Sequence, residues 1–147
     1  MLYESGSGFI SIDREIKVLT DYIELEKIRY NERLTIHFIK DIDNSQQKIV
    51  PLILLPFVDN AFKHGASESR FNSFININLK VNDGQLRLVV INSKEEGNST
   101  EIYENIGLGN VKRQLQLVYP EHELIIENMN GRFYVQLTIN LLIYATV

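Results

Sequence analysis

The sequence contains no cysteine, and this absence narrows the chemistry that the chain can perform. Disulfide bridges and thiolate metal sites are both excluded, which fits a reducing compartment. No apolar run approaches the roughly 20 residues that a membrane-spanning helix needs, and the first residues show no signal-peptide pattern. The longest apolar stretch, residues 49–58, contains Pro51 and Pro56 and is followed by Asp59, a pattern that indicates a buried helix.

A dense basic cluster is also missing from the sequence. The 15 lysines and arginines are scattered, and the formal net charge is −4. Domains that bind nucleic acids usually carry a basic patch, so this distribution does not favour such a role. The 147 residues, of which 44% are hydrophobic, suffice for one domain with a core of its own. Residues 1–8, with the sequence Ser5-Gly6-Ser7-Gly8, are predicted to be a linker, and residues 9–147 to form the domain.

Hydrophobic periodicity predicts three helices. Apolar residues recur at spacings of three and four from Ile12 to Ile23, so the first helix should begin after an N-cap at Ser11 and continue to about Tyr30. The second helix is predicted from Pro51 to Gly65, because proline is favoured at the first helical position and glycine commonly ends helices. The third is predicted from about Leu108 to Val118, after a mobile polar loop at residues 92–105.

Alternating apolar residues predict the strands. A strand is expected at residues 34–39, and two hairpins should turn at Asp83-Gly84 and at Asn130-Gly131. The order is helix, strand, helix, hairpin, long loop, helix, hairpin. This order predicts an α+β protein, a two-layer α/β sandwich in which a mixed, mostly antiparallel sheet carries its helices on one face.

The first candidate site lies on the second predicted helix. Asn60, Lys63 and His64 are spaced i, i+3 and i+4, so they share one helical face. An amide oxygen suits Mg²⁺, and a cation and an imidazole can both contact phosphate oxygens. The alternative is an ordinary solvated face on which Asp59 and Lys63 form an ion pair. The apolar segment that precedes this face, residues 51–58, favours a functional role for the polar groups, because polar side chains on a buried helix need partners.

Two further candidates follow the second hairpin strand. Gly107 and Gly109 stand where a polar loop opens a helix, a position where backbone amides favour phosphate and glycine permits close approach. The alternative there is an ordinary junction between loop and helix. Asn92 ends an apolar strand, where an amide could contact the edge of a base, or could simply terminate the strand.

Together these segments resemble one family. Residues 51–65 look like the N box of LytS-type histidine kinases, and Ile106-Gly107-Leu108-Gly109-Asn110-Val111, followed by Arg113 and Leu115, looks like their second glycine box. Residues 22–30 are similar to the helix that leads into the same domain. The resemblance covers residues 9–141.

The resemblance implies the Bergerat ATP-binding fold shared by gyrase, Hsp90, histidine kinases and MutL, with ATP and Mg²⁺ as cofactors. By this analogy Asn60 is the Mg²⁺ ligand, and Asn92 takes the place of the aspartate that contacts the adenine amino group. The ATP-binding residues implied are Asn60, Lys63, His64, Asn92, Gly107, Leu108, Gly109 and Asn110.

Three positions depart from the family pattern. Asn92-Ser93-Lys94 replaces the first glycine box, Asp-x-Gly-x-Gly, and Asn105 replaces the first glycine of the second box. Pro56 stands four residues before Asn60, where the hydrolytic members of the superfamily carry a glutamate. A proline cannot act as a base, which favours phosphoryl transfer to a histidine over hydrolysis.

The resemblance also implies a context for the domain. It would transfer the γ-phosphate of ATP to a histidine on an upstream segment absent from this chain, for relay to a response regulator. Residues 1–8 would then be a linker or a remnant of the upstream dimerisation segment. We expect the cytoplasmic domain of a membrane-anchored bacterial sensor that is a homodimer at full length, with no catalytic residue in this chain and no nucleic-acid partner. The alternative is a degenerate, non-catalytic module of the same fold that regulates a partner by contact.

Overall fold

The computed structural model describes residues 8–30, 33–63, 72–94 and 101–145, and for residues 101–107 only the backbone. Its helices are α1 (Ile12–Tyr30), α2 (Leu55–Ala61) and α3 (Glu101–Val118). Its strands are β1 (Ile10–Ser11), β2 (Leu34–Ile42), β3 (Lys48–Ile49), β4 (Ser73–Asn82), β5 (Gln85–Ser93), β6 (His122–Met129) and β7 (Arg132–Asn140).

Five of the strands form one mixed sheet, in the order β2-β4-β5-β7-β6. Strand β2 runs parallel to β4, and the other neighbours are antiparallel. Strands β1 and β3 pair in a separate two-stranded sheet. Both hairpin turns lie where they were predicted, and Asp83, Gly84 and Gly131 have φ angles of 52°, 76° and 77°. Asparagine, aspartate and glycine tolerate such left-handed angles, so local turn chemistry sets the register of both hairpins.

The core lies between one face of this sheet and the helices. Alternate residues of β4, β5 and β7 are buried on that face, and they join apolar residues of α1, α2 and α3 in a single cluster. The opposite face of the sheet carries exposed polar side chains such as Asn76, Asn78 and Lys80. The predicted α+β fold, a two-layer sandwich with helices on one face, is therefore confirmed.

Helix α1 begins as predicted. The Arg14 N–H donates to Ser11 Oγ at 3.3 Å, so the serine side chain satisfies one amide of the first turn. Ile12, Leu19 and Ile23 are buried along one face. Within the described residues, no helix has both the length and the apolar character needed to cross a membrane.

Helix α2 is shorter than predicted. It begins at Leu55, because residues 51–54 form a turn in which Leu52 has a φ of 61°, an angle that an α-helix excludes. Pro56 consequently falls in the first helical turn, where a missing N–H is harmless, and it does not interrupt the helix. The helix ends at Ala61, and its predicted end at Gly65 lies outside the described residues.

Helix α3 is longer than predicted. It begins at Glu101, so residues 101–105, which were expected to belong to a loop, are helical, and the loop after β5 is correspondingly shorter. Residues 92 and 93 of the predicted loop belong to β5, and residues 95–100 lie outside the described part of the chain. The sequence of this first turn and a half is polar without periodicity, so it gave no amphipathic signal. The structure thus contradicts the prediction that the glycine box opens a helix.

Candidate functional site

Asn60 lies in the last turn of α2 with its side chain turned into the protein. The residue is only 4% exposed, yet its Oδ1 has no hydrogen-bond partner among the described residues. A buried amide oxygen without a partner costs stability, on the order of 1–3 kcal/mol, so such an atom calls for a partner outside the chain: a ligand, an ion or an ordered water. The position is therefore not that of an ordinary solvated helix face.

Lys63 stands one turn beyond Asp59, and the two form an ion pair with Nζ 3.0 Å from Oδ2. This pair is the contact that the alternative interpretation of the helix face predicted. It does not remove the lysine from solvent, because the side chain remains 68% exposed. The second carboxylate oxygen of Asp59 accepts the hydroxyl of Tyr22 from α1. His64, the third residue of the predicted triplet, lies outside the described residues.

Asn92 occupies the end of β5 on the sheet face that the helices cover. It pairs in register with Ile75 of β4 and Phe133 of β7 and is 1% exposed. Its Nδ2 donates to the carbonyl oxygen of Ser93 at 3.0 Å, whereas its Oδ1 has no partner within the described part of the chain. The amide is thus held with its acceptor oxygen available and its donor in use.

Two of the predicted site residues therefore share one property. Asn60 and Asn92 are the two residues that have buried side-chain oxygens without a partner in the part of the chain that the structure describes. Helix α2 packs against β5, so the two asparagines lie on neighbouring elements, one in the helical layer and one in the sheet. Each of these two amide oxygens can accept a hydrogen bond or bind a cation, and neither is a nucleophile.

The glycine box lies inside α3 and not at its beginning. Gly107 is helical, Leu108 is fully buried in the core, and Gly109 and Asn110 are exposed. A Cβ placed on Gly109 would meet no atom of the described residues within 4 Å, so packing against that part of the chain does not require glycine there. Glycine in a helix interior costs roughly 1 kcal/mol of stability relative to alanine. The open space beside Gly109 leaves room for a ligand or another molecule to approach the helix there.

Glu15 was not singled out from the sequence, and it is the most deeply buried charged residue of the described chain at 0% exposure. Its Oε1 accepts the N–H of Leu52 at 2.9 Å, and its Oε2 accepts those of Ile53 and Leu54 at 3.0 and 3.1 Å. Burial raises the pKa of this carboxyl, and the three backbone hydrogen bonds oppose the rise. The sequence offered one signal, which is that Glu15 lies three residues after Ile12 and four before Leu19, on the apolar face of the predicted helix.

No family model matches the chain, but individual proteins do. The sensor histidine kinase YpdA of Escherichia coli (strain K12) is 31% identical over 122 residues, which are 76% of this chain and 21% of YpdA. The uncharacterised protein YwpD of Bacillus subtilis (strain 168) is 27% identical over 124 residues, covering 78% of this chain and 44% of YwpD. The sensor protein LytS of Staphylococcus epidermidis (strain RP62A) is 27% identical over 81 residues, which are 55% of this chain and 14% of LytS. The chain spans less than half the length of each.

Solved structures agree on the fold. The histidine kinase domain of a blue-light activated histidine kinase from Erythrobacter litoralis superposes with a TM-score of 0.64 at 18% identity, covering 89% of this chain and 61% of that one. The catalytic domain of histidine kinase ThkA superposes with a TM-score of 0.59 at 15% identity, covering 89% of this chain and 93% of that domain. The same fold occurs in ThkA in complex with the response regulator protein TrrA, at a TM-score of 0.56 and 19% identity over 89% of this chain and 40% of that one. It also occurs in full-length ShkA in complex with AMPPNP, which superposes with a TM-score of 0.61 at 17% identity, covering 95% of this chain and 32% of ShkA. The chain is thus homologous to the sensor histidine kinases, LytS among them, and has the fold of their catalytic domains.

Proposed function

We propose that this chain is the ATP-binding catalytic domain of a two-component sensor histidine kinase, transferring the γ-phosphate of ATP to a histidine on an upstream segment. The observation that carries the proposal is the pair of buried amide oxygens on Asn60 and Asn92, neither of which has a hydrogen-bond partner in the described part of the chain. Homology to sensor histidine kinases supports it. Residues 9–147 would form the domain, and residues 1–8 a linker or a remnant of the upstream dimerisation segment.

The residues present fit a Mg²⁺ ion bound together with the nucleotide. Mg²⁺ prefers oxygen ligands, keeps several waters and takes further oxygens from substrate phosphates, so one protein ligand is enough. Asn60 Oδ1 is a hard oxygen that has no hydrogen-bond partner among the described residues. Bound there, the ion would supply positive charge against the phosphate oxygens. Asn60 would in turn gain the partner that its buried oxygen lacks.

The orientation of Asn92 fits an adenine ring. The amino group of adenine is a donor, and Asn92 offers an acceptor oxygen while its own donor is held by the Ser93 carbonyl. Of the two ways in which an amide can point, this is the one that suits adenine. A neutral amide would make a weaker contact than the carboxylate of related kinases, because hydrogen bonds to ionised groups are stronger.

The phosphates would lie against Lys63, His64 and the glycine box. Lys63 lies two residues beyond the end of α2 and three residues after Asn60, and Asp59 holds its ammonium by an ion pair. Gly107, Leu108, Gly109 and Asn110 are consecutive residues of α3, and α3 packs against α2. In this arrangement Leu108 anchors the box in the core while Gly109 leaves room for the nucleotide.

The protein part of the reaction is positioning and charge stabilisation. Phosphoryl transfer needs little covalent chemistry from the enzyme, so a domain without a nucleophile can catalyse it once the accepting histidine is brought to the phosphate. Pro56 offers no carboxylate to activate water. The domain should therefore hold nucleotide without consuming it until the acceptor arrives.

The partners follow from this role. The phosphohistidine would be relayed to a response regulator, the class of protein found with ThkA in its complex with TrrA. The upstream segment would carry the phosphoacceptor helices, and we propose a homodimeric protein anchored in the bacterial membrane with this domain in the cytoplasm.

The decisive experiment compares this chain with a longer protein that also carries the upstream segment. Both are incubated with Mg²⁺ and ATP labelled at the γ-phosphate. We expect the longer protein to acquire label that is stable in base and lost in acid, as a phosphohistidine is, and this chain to bind nucleotide without releasing phosphate. Steady phosphate release by this chain alone would overturn the proposal in favour of an ATPase.

One observation favours a second function. Asn92-Ser93-Lys94 replaces the charged, glycine-rich first box of related kinases, a change that would weaken nucleotide binding. A module that kept the fold but not the reaction could regulate a partner by contact. Failure to bind Mg-nucleotide, or absence of transfer in the longer protein despite nucleotide binding, would make this the better interpretation.

A further inference from the structure

Two residues of helix α1 contact α2 or its immediate neighbours, one near the beginning of α2 and one near its end. Before α2, Glu15 accepts the amides of Leu52, Ile53 and Leu54 at 2.9 to 3.1 Å. Near the end of α2, the hydroxyl of Tyr22 donates to Asp59, the neighbour of Asn60. Both contacts cross between elements that lie 37 to 39 positions apart in the sequence.

The contact at Glu15 holds the turn that leads into α2. Leu54 is the residue before α2, its side chain makes no capping hydrogen bond, and the amides of residues 52–54 find their acceptor on another helix. Glu15 supplies two oxygens from another helix. It also holds the turn in which Leu52 adopts a left-handed φ of 61°, a conformation that costs a non-glycine residue roughly 1–2 kcal/mol. Without Glu15 this turn would have three unpaired amides and no reason to keep its strained shape.

The contact at Tyr22 continues along the same helix face. Glu15 and Tyr22 are seven residues apart, close to two turns at about 3.6 residues per turn, so both point towards α2. Tyr22 also packs edge-on against Phe62, with ring centroids 5.5 Å apart. The order of these contacts shows that α1 and α2 run in the same direction, and Asn60 lies within the segment that α1 holds.

We infer that α1 is the positioning element of the nucleotide site, with Glu15 and Tyr22 as the positioning residues through which it fixes Asn60 and Lys63. Glu15 acts through the backbone at the start of α2, and Tyr22 acts through Asp59, whose other oxygen holds Lys63. A shift of α1 along its axis would move both contacts together. Affinity for Mg-nucleotide would then depend on where α1 is held. This inference rests on the proposed function of Asn60.

The test uses three variants and one matched control in this chain. Glu15→Ala removes both accepting oxygens, Glu15→Gln keeps one, and Tyr22→Phe keeps the ring against Phe62 while losing the hydroxyl. Glu24→Gln is the control, because Glu24 is an exposed carboxylate of the same helix that pairs only with Lys27 in the described contacts. The dissociation constant of ADP is measured with and without Mg²⁺ by calorimetry, and stability is measured by urea unfolding.

We expect Glu15→Ala to weaken the Mg-dependent part of ADP binding by roughly 10–100-fold, the usual effect of removing a residue that orients a metal ligand. Glu15→Gln should fall between Glu15→Ala and the parent, Tyr22→Phe should also weaken Mg-dependent binding, and Glu24→Gln should match the parent. If Glu15→Ala does not fold, the graded pair Glu15→Gln and Tyr22→Phe carries the test.

The two ways of failing give different results. Variants that lose stability but bind Mg-ADP with the parent's affinity would overturn the inference and leave Glu15 and Tyr22 with a purely structural role. Absence of Mg-dependent binding in the parent would instead overturn the proposed function, and the inference with it.

Discussion

The hydroxyl oxygen of Tyr119 accepts the backbone N–H of Val50 at 3.1 Å, although 69 positions separate the two residues. Tyr119 immediately follows α3, and Val50 lies in the segment that leads into α2. The bond therefore joins the end of α3 to the segment that precedes α2. The residue is fully buried. Together with Glu15 it supplies side-chain acceptors to a segment that has no regular structure of its own.

The first prediction concerns the pH dependence of folding. Burial raises the pKa of Tyr119 from 10.0 to about 12. The folded protein therefore keeps this proton more tightly than the unfolded chain, and the resulting stability is fully present below pH 10 and lost as the pH rises through about 12. We expect Tyr119→Phe to reduce the loss of stability between pH 9 and pH 12, measured by urea unfolding, without abolishing it, because burial also raises the pKa of Tyr22.

Tyr119→Phe should also lower stability at neutral pH, by about 1–3 kcal/mol, because the Val50 N–H is left buried without an acceptor. Tyr144→Phe is the control, since Tyr144 is 48% exposed. A Tyr119→Phe variant with the parent's stability and pH profile would mean that the hydrogen bond contributes nothing.

The second prediction separates metal binding from base binding. Asn60→Ala should remove the effect of Mg²⁺ on nucleotide affinity and leave metal-free binding unchanged, a loss on the order of 1–3 kcal/mol for an ionic partner. Asn92→Ala should weaken binding equally with and without Mg²⁺, because its proposed contact is to adenine. Calorimetric titration of each variant with ADP measures both quantities. Equal effects of Mg²⁺ in the parent and in Asn60→Ala would exclude Asn60 as the ligand.

The features that could be predicted from sequence are those set by local chemistry. Asp83-Gly84 and Asn130-Gly131 fix two hairpins through their own backbone preferences, and Ser11 caps the helix that follows it. Alternation along β5 places Asn92 on the covered face, since it continues the row of Leu86, Leu88 and Val90. The burial of Asn92 could therefore be predicted from the sequence, whereas its role in a site stays a prediction.

The features that were missed depend on distant residues. The apolar sequence of residues 51–54 favours a helix, but Glu15 supplies acceptors from another helix and stabilises a turn. The start of α3 was missed for a different reason, because residues 101–105 have no apolar periodicity to mark a helix. The turn at residues 51–54 cannot be derived from local propensity, since the acceptors that hold it belong to another helix.

The third prediction concerns the turn between β4 and β5. A Cβ on Gly84 would collide with Leu142, whose Cδ1 would lie 2.8 Å away, and the φ of 76° already disfavours any side chain. Gly131 has nearly the same φ, 77°, but a Cβ there would meet nothing within 4 Å. We expect Gly131→Ala to cost about 1–2 kcal/mol of stability, the left-handed penalty alone, and Gly84→Ala to cost more. Thermal or urea unfolding measures the difference, and combining Gly84→Ala with Leu142→Ala should remove most of it. Equal costs for the two glycine variants would show that Leu142 moves aside freely.

The fourth prediction asks what the glycine of α3 is for. Gly109 lies in a helix interior, where alanine is more favourable by roughly 0.8–1.0 kcal/mol, and an added methyl would meet no atom of the described residues within 4 Å. Gly109→Ala should therefore raise the free energy of unfolding by about that amount. If the space beside Gly109 receives the nucleotide phosphates, the same methyl should weaken binding of Mg-ATP.

Gln116→Ala is the matched control, because it also introduces alanine at an exposed position of α3, two turns beyond the glycine box. It should change neither stability by more than a few tenths of a kcal/mol nor nucleotide affinity. A gain of stability with unchanged affinity in Gly109→Ala would remove Gly109 from the site while leaving α3 as described. A loss of stability would contradict the helical placement of the glycine box itself. The combination of higher stability and weaker binding is the result expected of a glycine that is kept for its ligand and not for the fold.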